Sequence, residues 1–121
     1  MPLEESSGYR SRSTLGSVVA GAALGLVLGV IANLLAVLSS GAGHGDYAAA
    51  RMLFPASMLL TFVEGSIGEL SIAVALLQFP FYGGLMGWSV ARGTYLSALV
   101  VGALHLVGVI FCFSGALPYY S

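Results

Sequence analysis

Three polar side chains lie inside otherwise apolar stretches of this chain, and they carry most of its chemical potential. His105 sits near the middle of the apolar run 95–116, Gln78 interrupts 70–91, and Asn33 follows the glycines of 15–38. An imidazole changes charge near physiological pH, and amides both donate and accept hydrogen bonds. Gathered together, His105, Gln78 and Asn33 would make a polar path for an ion or small solute. Kept apart, each would serve as a hydrogen bond between helices, with Gln78 or Asn33 the natural partner for His105. An ionisable group deep in an apolar phase is costly, which makes His105 the residue to follow.

The remaining candidates point away from catalysis. Glu64 and Glu69 have the residue types of an acid–base pair, but they bracket Gly65 and Gly68 and read as solvated loop carboxylates. His44-Gly45-Asp46 offers two ligands on a glycine loop, and the other histidine lies 61 positions further along. Zinc takes three or four protein ligands, so no metal site is expected. No nucleophile elbow or phosphate-binding glycine loop occurs. Cys112, the single cysteine, stands in Val109-Ile110-Phe111-Cys112-Phe113 and reads as a small hydrophobe. The chain is expected to be non-enzymatic and to need no cofactor.

The elements holding these residues are set by hydropathy. Of 121 residues, 58% are hydrophobic and 7% charged, and no lysine is present. Soluble domains carry about a quarter charged residues, and nine charges would not cover the surface of one. With a formal net charge of −1 and no basic patch, nucleic-acid binding is excluded. A bilayer crossing takes about 20 apolar residues of helix. The expected fold is therefore all-α: an integral membrane bundle of four helices at about 15–38, 47–63, 70–91 and 95–116. Residues 1–14 are expected as a disordered polar tail ahead of a single transmembrane domain, 15–121. The first apolar run is too long for the core of a cleaved signal peptide.

The second helix is the ambiguous one. Its uncharged part, 52–63, is short enough for a re-entrant segment, whereas 47–63 just reaches a crossing. The chain thus has either three or four crossings. Asp46 is placed to cap this helix, and Arg51 to lie at the interface, snorkelling to headgroups or pairing with Asp46. Pro55 and Pro80 each remove a backbone donor and are expected to kink their helices. With four crossings, Arg10 and Arg12 tie against Arg51 and Arg92. With three, Arg10, Arg12 and Arg92 share a side against Arg51, an arrangement the positive-inside rule favours with that side cytoplasmic, and so few charges leave orientation open.

Glycines supply the packing signal. Ser17, Gly21, Gly25, Gly29 and Asn33 recur every fourth residue, and Gly83, Gly84 and Gly87 follow Pro80. Bare stripes of this kind let backbones approach where no hydrophobic force drives helices together. Gly21, Gly25, Gly29, Gly83 and Gly87 are thus expected to pack helices, within one chain or between copies. The expected partners are the lipid bilayer and a membrane protein, either a second copy or another subunit. The expected location is a membrane crossed several times, a bacterial plasma membrane by size and N-terminal character. A small permease or channel built on His105, Gln78 and Asn33 is the alternative.

Overall fold

The computed structural model describes residues 3–42, 47–115 and Leu117, with side chains from Ser13 onward. Five helices run in order: α1 (Leu3–Gly41), α2 (Ala48–Leu53), α3 (Pro55–Glu64), α4 (Glu69–Arg92) and α5 (Leu96–Phe113). Among the described residues the only regular structure is α-helix, with no strand. Three stretches are long and apolar enough to cross a membrane: Ser13–Gly41, Glu69–Arg92 and Leu96–Phe113. The architecture is thus compatible with a multi-pass membrane protein.

The expected boundary near residue 14 is replaced by a helix that begins at Leu3. Nucleating a helix is unfavourable but extending one is not. Between Leu3 and Ser13 only Gly8 weakens the extension and no proline stops it. The last helix is shorter than the expected 95–116. It ends at Phe113, and Gly115 with φ 83° turns the chain away.

α4 is the central element and runs antiparallel to α1. Ser17 lies against Gly87, Gly21 against Gly83, and Gly25 against Phe79 and Pro80. Each step of four up α1 is matched by a step of four down α4, so rows of i±4 spacing meet along the seam. A Cβ at Gly21 would strike the Gly83 carbonyl, one at Gly83 the Gly21 carbonyl, and one at Gly87 the Ser17 carbonyl. Only glycine permits this approach, and the gain is dispersion between bare backbones. α4 passes through Pro80 without losing its helical assignment. At its far end Gly93, with φ 63°, closes the helix: its N–H donates to Ser89 and Val90, and the Thr94 N–H donates to Ser89. Ser89 and Ser97 then hydrogen-bond across the turn into α5, and the Arg92 guanidinium sits 5.4 Å from the Trp88 ring.

The ambiguous second segment is a helix–break–helix hairpin. Phe54, at φ −128° and ψ 54°, separates α2 from α3, with Pro55 at the first position of α3. A residue before proline is pushed out of the α region, and proline favours that first position because its missing donor is not needed there. The expected kink is therefore a complete break. The tip packs between the long helices: Phe54 clusters with Ala32 of α1 and Ala75 of α4, and its ring meets Phe79 edge-on at 5.4 Å. On the α5 side, Gly108 makes room for Pro55, whose carbonyl lies 3.7 Å from the Cys112 sulfur. Next to the tip Ser57 donates to the Ser71 carbonyl at 2.6 Å. The hairpin's outer end, Glu64, is back at the start of α4, where it accepts the Leu70 and Ser71 N–H groups. It enters and leaves at one end of the bundle.

Candidate functional site

The break at Phe54–Pro55 creates the problem that the polar residues solve. The last carbonyls of a helix lack intrahelical donors, and a buried carbonyl left unpaired costs about 1–3 kcal/mol. At this break Phe54 is 3% exposed while Met52, on the outer side, is 57% exposed. Side chains from the two long helices supply the missing donors. Gln78 Nε2 of α4 donates to the Leu53 carbonyl at 3.1 Å. His105 Nε2 of α5 donates to the neighbouring Met52 carbonyl at 3.0 Å. The two residues meet through adjacent carbonyls of α2, not through each other.

The hydrogen bond to Met52 assigns the imidazole. A carbonyl only accepts, so Nε2 carries a proton, and in the neutral ring Nδ1 is then the acceptor. Tyr82 Oη lies 3.3 Å from Nδ1 and donates to it, with the two rings edge-to-face at 5.7 Å. His105 is thereby held between α2 and α4. Tyr82 is the residue that sequence reasoning missed. Its signal was present, because Gln78 and Tyr82 are four apart and share a face of α4.

Asn33 does not join this group. Its side chain donates to the Gly29 carbonyl one turn back in α1, at 2.9 Å, a local bond that explains a polar residue beside the glycine seam. The seam glycines Gly21, Gly25, Gly29, Gly83 and Gly87 lie between α1 and α4 of the same chain, with Gly29 against the Phe79 side chain. Arg51 is 9% exposed and enclosed by the bundle, where α2 packs against α1, α3 and α5. The cap of α2 falls at Tyr47, which takes φ 52°, and its carbonyl accepts the Arg51 N–H. Asp46 and His44 lie outside the described residues.

Glu64 also departs from expectation. It is not a freely solvated loop carboxylate: Oε1 accepts the Leu70 N–H at 3.2 Å, and Oε2 accepts the Ser71 N–H at 3.1 Å and the Ser71 hydroxyl. It closes the N-terminus of α4 from the end of α3, where the helix dipole favours a negative charge. The Ser71 hydroxyl chiefly, then backbone donors of Ser71, Leu70 and Gly68, hold its carboxyl below the usual value against an opposing effect of burial. Among the described residues, no group of three His, Cys, Asp or Glu side chains converges.

Two grooves flank the Tyr82–His105 contact. One, of about 380 Å³, runs over Phe79, Met86, Ala98 and Gly102. The other, of about 260 Å³, runs over Pro55, Leu59, Leu104 and Gly108. Both are lined by uncharged residues and share Tyr82, Val101 and His105. Compared with protein-family models, with curated proteins and with solved structures, the chain matches none of them.

Proposed function

We propose that this chain is a small multi-pass membrane protein with three crossings and a re-entrant α2–α3 hairpin. It acts without catalysis, as a helix-packing subunit of an oligomer or of a larger membrane complex. The observation that carries this reading is the way its polar groups are spent. Gln78 and His105 cap a broken helix, Asn33 bonds its own turn, and Glu64 caps α4. The chain's intramembrane polarity supports its own backbone.

Its outer surface supports the same reading. Among the described residues α1 and α5 do not touch, and only 11% of the apolar window of α5 is buried. The glycine seam is occupied internally, so a partner would dock on the outer faces of α1 and α5. Purification in mild detergent with in-membrane crosslinking tests this. A species larger than the 12.4 kDa chain, either a multiple of it or a mixed complex, is the expected result. A protein that stays monomeric and partner-free in its native membrane overturns the reading.

One observation favours the permease or channel alternative. A helix broken at mid-depth is how membrane transport proteins build polar sites, where irregular backbone lines a cavity. Here the break is buried among Ala32, Ala75, Phe79 and Gly108 instead. Flux through reconstituted protein that vanishes in His105→Ala would replace the packing role with transport.

A further inference from the structure

The Tyr82–His105 contact is the one polar pair that opens onto apolar grooves rather than closing a gap in the backbone. At 3.3 Å it is longer than a well-made hydroxyl hydrogen bond, which centres near 2.7–2.8 Å between oxygens. The His105 Nε2–H is already committed to Met52, so what the grooves meet is one acceptor, Nδ1, and one hydroxyl, Oη. A ligand hydroxyl that parts the two rings would replace this direct bond and satisfy both groups: it accepts the Tyr82 proton and donates its own to Nδ1. A ketone or ether would take the Tyr82 proton and leave Nδ1 without a donor.

We infer that the α4–α5 groove binds an uncharged lipophilic alcohol drawn from the bilayer, its hydroxyl seated between Tyr82 and His105. Three observations limit the occupant. The lining holds no charged residue, which disfavours an ion or a phospholipid headgroup. The volume of about 380 Å³ lies in the range of small-molecule sites. A partner helix of about 10 Å diameter is too bulky for it. At Gly102 a Cβ would meet nothing within 4 Å, so that wall of the groove is open where a ligand's chain would lie. The inference rests on the chain being in a bilayer but not on its being a subunit, and it survives if the packing role fails.

The test uses the full chain in lipid nanodiscs, labelled with nitrogen-15 at histidine and carrying His44→Gln, so that His105 alone is observed. The probe is 1-tetradecanol, with tetradecane and 2-tetradecanone as controls. The alcohol is expected to shift the Nδ1 resonance saturably while Nε2 keeps its proton, and neither control should reproduce the shift. Tyr82→Phe should weaken the apparent affinity about tenfold, the size of one hydrogen bond. Gly102→Leu, whose Cβ meets nothing within 4 Å and whose side chain would occupy the groove, should abolish saturation. The inference is overturned if the wild type shows no saturable shift, if tetradecane acts as well as the alcohol, or if both variants bind as tightly as the wild type.

Discussion

Adding one methyl group at Gly21 tests the seam on which the fold depends. The Cβ of Gly21→Ala would fall on the Gly83 carbonyl oxygen, 2.9 Å from its carbon and 3.2 Å from the Gly87 nitrogen. Carbon contacts settle near 3.5–4.0 Å, and the obstacle is helical backbone on both sides, so α1 and α4 must separate. A gap of 0.5–1 Å already forfeits a quarter to a half of each dispersion contact, and the loss extends along the seam because both helices are stiff. Overpacking of this kind costs about 1–3 kcal/mol. At Gly102 the same substitution meets nothing within 4 Å and should be neutral or stabilise by up to about 1 kcal/mol through the unfolded state. Equilibrium unfolding in mixed micelles, followed by circular dichroism, should order the variants as Gly102→Ala, wild type, Gly21→Ala. The double variant Gly21→Ala/Gly83→Ala should cost less than the sum of its parts, since the second methyl enters a gap already opened. If Gly21→Ala is as stable as Gly102→Ala, the backbone contact does not hold the two helices together and the reasoning fails.

Other consequences are open to direct measurement. Gln78→Leu removes the donor to the Leu53 carbonyl and should cost about 1–3 kcal/mol, with faster hydrogen exchange in α2 than in α5; equal exchange in both would refute the capping role. The Glu64 carboxyl is lowered from 4.5 in the folded chain. Its contribution is therefore complete above pH 4.5 and is lost as the pH falls through the lower folded value. Amide exchange at Leu70 and Ser71 should rise in that acid window, and Glu64→Gln should show raised exchange at neutral pH with no such acid step. In a Cys112→Ala background, cysteines at Ala42 and Ser66 should both react with an impermeant reagent from one side of the membrane, and one at Thr94 from the other. Labelling of Ala42 and Ser66 from opposite sides would make the α2–α3 segment a full crossing.

The long helices were legible because a crossing demands a length of apolar sequence that few other structures need. Residues 69–92 and 96–113 could be placed to within one to three positions from hydropathy and the Arg92-Gly93 turn alone. Residues 47–63 could not be resolved, since that length fits a short crossing and a returning hairpin equally well. Their path in the fold depends on the contact of Phe54 with Ala32 and Ala75, and such contacts leave no trace in local composition. The glycine stripe of α1 was visible, but its partner was only half visible. α4 continues the row through Phe79 and Ala75, whose types hide the same four-residue step. His105 and Gln78 could be singled out by their cost in an apolar phase. Their acceptors are carbonyls, which every residue has, so no pattern of side chains could have named Met52 and Leu53.

The caps on the hairpin also impose an order in time. Leu53 waits for a donor 25 residues further along the chain, and Met52 for one 53 residues along. At 5–20 residues per second of synthesis, His105 is made about 3–10 s after the carbonyl it serves. In the proposed re-entrant arrangement, the tip is until then better solvated at the membrane surface, where water meets its open backbone, than inside the bilayer. The hairpin should therefore be the last part of the bundle to enter, drawn in when α5 arrives, and a chain halted before residue 105 should leave it outside.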